Sequence, residues 1–251
     1  MTDSSQQTHA AVPGTAGPSP KARFIRRMFD TIAPDYDRLN AWVSLGMDRF
    51  WRRKAIKRMP TDGLIVDWCA GSGDMSKEYL RRKGNKGQVV LCDFSAEMRR
   101  IYDSRLTPEE RKRCFYVCCD VTRTPFRDGV FDGQMQGFAI RNLMNRSSFF
   151  AEVKRVGRQG NRGALLDLSV PRFPLWRWMC NVYFHVIAPR LVAILTKRGV
   201  FAYRYLAESI EHHMDPRDIV KEIQAAGIPD ADYVSLAGGI GALFVWGGTD
   251  R

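Results

Sequence analysis

Residues 65–74 read "IVDWCAGSGD", and the fold turns on how this stretch is understood. An apolar run ends in an acid, and two glycines follow one residue apart. A buried strand that reverses sharply into a helix, with its backbone close to a ligand, needs residues without a Cβ. The helix N-terminus beyond offers free N–H groups and the positive end of a dipole. Gly71 and Gly73 supply that geometry for any nucleotide-binding α/β fold. A dinucleotide fingerprint also needs a third glycine three residues after the second, and that position is Ser76. The fingerprint has no place for Asp67, four residues ahead of Gly71. A ligand without a pyrophosphate does not need the third glycine, and a nearby acid suits an amino group or a cationic centre. S-adenosylmethionine carries both, so the turn favours it over NAD as the cofactor.

Two further acids stand at strand ends. The run 88–94 finishes in Leu-Cys-Asp-Phe, placing Asp93 about twenty residues after Gly73, where a carboxylate can accept from both ribose hydroxyls. Ser95 is the better candidate for capping the following helix. The run 114–120 ends in Asp120, followed by Val121. Turn initiation is the ordinary role of such an aspartate, but as the third of a series it becomes a candidate acceptor for an adenine amino group. Ligands of open α/β sheets bind outside the carboxyl ends of the strands.

The rest of the chain fits that frame. Apolar runs at 64–69, 88–94, 114–120, 131–138 and 163–170 read as strands. They are separated by helical stretches at 75–82, 96–105 and 147–156, the pattern of a parallel sheet with crossover helices. Asp215-Pro216 opens a helix to about 226. The end, "DYVSLAGGIGALFVWGGT" (232–249), reads as two strands joined at Gly238-Gly239, which makes the final pair antiparallel. Residues 21–59 have a helical pattern and form an N-terminal cap. The insertion 173–213 is too long for a plain connection and is expected to form helices of its own, a lid. A single domain over 21–251 follows, preceded by a small, polar, disordered tail at 1–20.

The 251 residues carry a formal net charge of +12 and are 45% hydrophobic. A basic surface attracts nucleic acid, anionic lipid or acidic partners alike. The cluster Arg49, Arg52, Arg53, Lys54, Lys57 and Arg58 also reads as a solvated face. No uninterrupted run of about 18 apolar residues suggests a membrane span, and the N-terminus has neither a signal peptide nor an arginine-rich presequence. A cytoplasmic location is expected, with peripheral contact on the inner face of the membrane. The six cysteines show no C-x-x-C pair and read as small, buried, reduced thiols, with no metal site.

With these pieces in place, the chain resembles the ubiquinone/menaquinone biosynthesis C-methyltransferase family from about Phe29 onward. The resemblance rests on "FDTIAPDYDRLNAWVSLGMDRFWRR" (29–53), "VDWCAGSGD" (66–74), "VLCDFSAEM" (90–98), "TPFRDGVFD" (124–132), "GFAIRN" (137–142) and "YRYLAESI" (203–210). It implies a class I methyltransferase, a Rossmann-like α/β fold with a seven-stranded, mostly parallel sheet, its last strand antiparallel, and helices on both faces. By position, the family's cofactor contacts fall on Ser72, Asp93, the Asp120–Val121 pair and Gly137, beside Asp67, Gly71 and Gly73 of the turn. Ser72 keeps a hydroxyl, whereas Gly137 stands where the family carries a hydroxyl residue.

The implied reaction is C-methylation of a polyprenyl quinol ring, with demethylmenaquinol to menaquinol favoured. It needs a phenolate, whose charge delocalises to the ortho carbon. A guanidinium favours that anion without losing its own charge. Arg141 and Asn142 are the catalytic candidates, the first to lower the hydroxyl pKa or hold a water, the second to orient the ring oxygen. Capping of the next helix is their ordinary alternative. Tyr36, Asp37 and Asn40 lie in the motif the resemblance places over the cofactor, and Tyr205 in the lid. His212 and His213 are candidate proton acceptors. Aromatic residues beside arginines between 173 and 201 suit a segment that touches lipid, with core packing of a lid as the rival. An RNA methyltransferase would account for the charge, yet no N/D-P-P-Y/F motif and no separate RNA-binding module is present, so nucleic acid is not the expected partner. A methyltransferase of another small molecule and a degenerate partner protein stay open, as does oligomer formation.

Overall fold

The computed structural model describes residues 44–195 and 215–248. Seven strands form one sheet: β1 (Leu64–Trp68), β2 (Gln88–Asp93), β3 (Cys114–Cys118), β4 (Phe131–Gly137), β5 (Gly157–Leu168), β6 (Asp232–Leu236) and β7 (Gly241–Trp246). Their order is β3-β2-β1-β4-β5-β7-β6. The first five pair in parallel, and β7 runs antiparallel to both β5 and β6. This is the class I methyltransferase sheet, as expected. The tail at 1–20, the cap up to residue 43 and the lid from 196 to 213 lie outside the described residues. Tyr36, Asp37, Asn40, Tyr205, His212 and His213 fall with them.

The helices are α1 (Met47–Arg58), α2 (Asp74–Leu80), α3 (Ala96–Arg105), α4 (Pro108–Arg111), α5 (Arg146–Val156), α6 (Pro174–Val182), α7 (Ala188–Leu195) and α8 (Pro216–Ala225). Alternation along β1 sends Val66 and Trp68 to one face of the sheet and Ile65 to the other. Phe149, Phe150 and Val153 of α5 and Ile219 and Ile223 of α8 close over the first face. Trp51 and Ala55 of α1, Met75 and Tyr79 of α2, Tyr102 of α3 and Cys180 of α6 close over the second. Both faces are covered, which is why the strands read as near-continuous apolar runs. A buried polar chain runs through the first face: Trp68 Nε1 donates to Gln134 Oε1 at 3.1 Å, and Gln134 Nε2 donates to Asn161 Oδ1 at 2.9 Å.

Three features depart from the sequence reading. Strand β5 begins at Gly157, because its register against β4 jumps from Phe131↔Gly157 to Gly133↔Arg162 and loops out the intervening residues. The cysteines are all free, but Cys118 is exposed and Cys69, Cys114 and Cys119 are half-buried. Cys114 and Cys118 belong to β3 at the sheet edge, where only part of each face is covered, and Cys69 and Cys119 stand just past the ends of β1 and β3. Thirdly, α6 and α7 are joined without a break by a π-helical turn, Tyr183–Ile187, in which the Ala188 N–H reaches back to the Tyr183 carbonyl.

Gly73 precedes α2 with φ 79°, and a Cβ added there would lie 2.1 Å from the Tyr102 ring. Gly73→Ala should therefore cost at least about 2 kcal/mol, from left-handed strain and overpacking together. Urea unfolding of the two proteins measures this, and equal midpoints would refute it.

Candidate active site

The turn between β1 and α2 is built around one carboxylate. As the residue ahead of α2, Gly73 has no side chain with which to cap the helix. Asp67 does so from the strand: its Oδ2 accepts from the Ser76 N–H at 3.1 Å and from Ser76 Oγ at 2.6 Å. Ser76 occupies the place of the missing third glycine, so both departures from the dinucleotide fingerprint are one interaction. Asp67 is 1% exposed, and burial pushes its carboxyl up to about 7. Its Oδ1 is buried without a hydrogen-bond partner. A buried acceptor left unsatisfied costs free energy, and a cationic group brought to it would recover that cost.

Asp93 sits at the end of β2, 6% exposed. Its Oδ2 accepts from the Gly71 N–H at 2.9 Å and its Oδ1 from the Ser95 N–H at 2.9 Å. Ser95 itself caps α3 by accepting from the Met98 N–H, so Asp93 is not the cap. Gly71, Asp93, Phe94, Gly137, Phe138 and Asn142 line a cleft at the carboxyl ends of β1, β2 and β4. A Cβ built on Gly71 would meet nothing within 4 Å, so that side of the turn faces open space. The orphaned Asp67 oxygen, the open side of Gly71 and the acceptors of Asp93 together fit S-adenosylmethionine.

Other candidates are placed differently. Ser72 is buried in the turn and Val121 is buried in the core of the α5 face; neither lines the cleft, and Asp67 and Gly73 lie behind its wall rather than in it. Asp120 is exposed, and its Oδ1 accepts from the Thr122 N–H at 2.8 Å and Thr122 Oγ1 at 2.7 Å. That is the ordinary turn-initiating role. Gly137 lines the cleft, and a Cβ there would press on the Met75 side chain at 3.0 Å.

A second, larger cavity of about 340 Å³ adjoins the cleft, and Phe138 lines both. Phe138 has φ 64°, a strained conformation for a residue with a side chain. The larger cavity is apolar and aromatic, with Trp51, Leu168, Trp176, Met179, Tyr183 and Phe184 in its wall. Its charged residues are Asp48, Arg52 and Arg141. Arg141 and Asn142 fall in a 3₁₀ turn after β4, and the cap of α5 is Asn145. The pair is split: Arg141 lines the apolar cavity and Asn142 lines the cleft. Arg141 Nη1 lies 2.5 Å from Asp167 Oδ1 and donates to the Phe138 carbonyl at 2.7 Å, while the Arg141 N–H donates to Asp167 Oδ2 at 2.9 Å. Asp167 is fully buried.

Asp48, Arg52, Phe138 and Asp167 were not singled out as site residues from the sequence. Asp167 carried a signal: an acid inside the apolar run "ALLDLSV" (164–170) demands a partner. Arg52 was hidden among the surrounding basic residues.

Comparison with known proteins identifies the family. The model of the ubiE/COQ5 methyltransferase family matches residues 19–247. The ubiquinone/menaquinone biosynthesis C-methyltransferase UbiE of Coxiella burnetii is 30% identical over 246 residues, covering 97% of this chain and 98% of that protein. Its counterpart in Citrifermentans bemidjiense is 32% identical over 233 residues, covering 90% and 97%. Among solved structures, a SAM-dependent methyltransferase from Aquifex aeolicus superposes with a TM-score of 0.55 at 17% identity, over 78% of this chain and 87% of that one. Haemonchus contortus phosphoethanolamine N-methyltransferase 2, in complex with S-adenosyl-L-methionine, gives 0.61 at 16% identity, over 88% and 47%. These last two likenesses speak for the fold alone. The chain is an S-adenosylmethionine-dependent methyltransferase and belongs to the ubiE/COQ5 methyltransferase family.

Proposed function

We propose that this enzyme methylates a ring carbon of a polyprenyl quinol, with demethylmenaquinol as the favoured acceptor. The observation that carries the reading is the apolar, aromatic cavity of about 340 Å³ that shares Phe138 with the wall of the cofactor cleft. Its size falls within the range of small-molecule sites, about 300–1,000 Å³. The names of the relatives support the same substrate class. When bound, S-adenosylmethionine supplies an electrophilic methyl group. Asp67 would hold its cationic end and Asp93 its ribose, with Asn142 in the wall of the cleft. Arg141 faces the ring side. Its charge is balanced by Asp167, so it acts as an oriented donor toward the ring oxygen. Holding ring and methyl in line is mostly a positioning task.

The cavity wall continues into an exposed apolar surface. Phe173, Leu175 and Trp178 are more than half exposed, and Met179 and Ile187 line the cavity while remaining exposed to solvent. Arg172, Arg177 and Arg190 lie in the same segment. Aromatics at headgroup depth beside cations suit peripheral contact with an anionic bilayer, from which a polyprenyl substrate would enter.

The direct test is methyl transfer from labelled S-adenosylmethionine to demethylmenaquinol in anionic liposomes. Methylated quinol is expected, with the protein sedimenting with the vesicles. Transfer to RNA and none to quinol would overturn the substrate assignment; transfer without sedimentation would remove only the membrane contact.

The carboxyl of Asp67 is raised from 3.8 to about 7 by burial, so the empty fold binds its proton more tightly than the unfolded chain. Stability therefore falls as pH rises from about 4 to 7, by up to about 4 kcal/mol. Asp67→Asn should abolish that slope in chemical unfolding. Affinity for S-adenosylmethionine should rise with pH toward 7 and then level in the wild type, and stay flat and weaker in the variant, by calorimetry. A wild-type affinity independent of pH would count against Asp67 as the cation's partner.

Arg141→Ala leaves Asp167 buried and uncompensated, at a cost of about 3–5 kcal/mol. Loss of activity in that variant is informative only beside an unfolding curve. Arg141→Met with Asp167→Leu should recover most of the stability and none of the activity.

A further inference from the structure

Methylation of a quinol ring carbon needs an acceptor for the ring hydroxyl's proton. Arg141 cannot accept it, because a guanidinium stays charged in proteins. Cys180 and Tyr183 also line the cavity, but burial raises both above their ordinary values, so both hold their own protons at neutral pH. Among the described residues, the one carboxylate in the cavity wall is Asp48. It belongs to the first turn of α1 and is 7% exposed.

Its neighbours present donors to both of its oxygens. Ser44 Oγ donates to Asp48 Oδ1 at 2.7 Å. Arg52 Nη2 lies 3.5 Å from Asp48 Oδ2 and 3.4 Å from Asp74 Oδ2, beyond good hydrogen-bond length, and Arg52 Nε is buried without a partner. The guanidinium is held against Phe138, 5.1 Å from the ring centroid. The Arg52 side chain, which lines the cavity, thus has hydrogen-bonding capacity that its two carboxylate neighbours do not fully use. The charged and titratable groups around Asp48 are Arg49, Arg52 and Arg53 on its own helix, Asp74, Lys77 and Glu78 on α2 with Arg81 just beyond it, and Arg141, Cys180 and Tyr183 across the cavity.

We propose that Asp48 is the general base of the methyl transfer, and that Arg52 beside it holds the oxygen once its proton has left. This deepens the quinol reading and rests on it. The ring hydroxyl's proton passes to an Asp48 carboxylate oxygen, and the freed electron pair delocalises to the ortho carbon. That carbon's pair forms the new bond to the methyl group, while the methyl–sulfur bond breaks with its pair left on sulfur, neutralising the sulfonium. The methylated carbon then loses its hydrogen as a proton to solvent, restoring the aromatic ring. The ring oxygen takes its proton back from Asp48. One proton is released per methyl group transferred, and no oxidant or reductant is needed.

The test uses the protein without S-adenosylmethionine and an alkylated nitrophenol, whose phenolate alone absorbs in the visible. If Asp48 accepts the hydroxyl, the bound probe should titrate at a pH higher by about one unit or more in the wild type than in Asp48→Asn, because a neighbouring carboxylate favours the neutral phenol. Equal midpoints would overturn the role of Asp48 while leaving the cavity assignment intact. A wild-type protein that does not bind the probe would remove the cavity assignment itself, and the proposal with it.

In turnover, Asp48→Asn should lower kcat by about 10²–10⁴-fold. KM and the affinity for S-adenosylmethionine should hold within two-fold, and the acid limb of the kcat/KM profile should vanish. A tenfold loss of cofactor affinity instead would place Asp48 on the cofactor and overturn the proposal. Should Asp48→Asn fail to fold, Ser44→Ala keeps the carboxylate and removes one donor to it. Its acid limb should then move to higher pH, and an unmoved limb would overturn the assignment.

Discussion

The two hydrogen bonds from Ser76 into the Asp67 carboxylate hold the site in shape. A helix that starts on glycine has no side chain for its first free N–H groups, and an acid buried at the end of a central strand has no water. Each solves the other's problem. The bond joins the end of β1 to the first turn of α2, so the residues between them close into a fixed loop. That loop presents the Gly71 N–H to Asp93 at the end of β2. Two strand ends and a helix start are locked by one side chain, and its second oxygen remains unsatisfied.

Arginine–carboxylate pairs stand in the wall of the apolar cavity, Arg141 with Asp167 and Arg52 with Asp48. Such pairs do little for stability, because desolvation offsets most of the attraction. Their value is orientation. Dipoles fixed in a dry site need no reorganisation when charge develops in front of them. The two pairs differ in tightness, 2.5 Å against 3.5 Å. The first is a closed unit, and the second keeps a donor in reserve.

Much of the fold was legible because the sheet is covered on both faces. Continuous apolar runs separated by helical stretches have few other solutions, and the strand ends followed from them. Residues whose role is local were legible too: Gly71 and Gly73 from backbone conformation, and Ser95 as a cap. Roles that depend on the third dimension were not. Asp120 looked like Asp67 and Asp93 in sequence, yet it sits beyond an edge strand and is exposed, with one of its oxygens accepting from Thr122. Arg141 and Asn142 are adjacent in the chain but line different pockets, since a 3₁₀ turn sends consecutive side chains in different directions. Arg52 could have been found. Positions 48, 51, 52, 55, 56 and 59 share one helical face, and all are buried. Phasing α1 by Trp51, Ala55 and Ile56 places Asp48 and Arg52 inside.

The π-helical turn at Tyr183–Ile187 bears on how this cavity could change over evolutionary time. A π-turn holds one residue more than the α-helical turn it replaces, so it sets the two halves of a helix out of phase by about 100°. Here Tyr183, Phe184 and Ile187 face the cavity while Ala188 and Val192 beyond them stay buried in the protein. Deleting a single residue from the segment would restore α-helical phase and turn one of these sets away from its neighbours. The volume offered to a substrate is therefore coupled to chain length at one point. A one-codon deletion or insertion there could reshape the acceptor site in one step and leave the cofactor turn untouched.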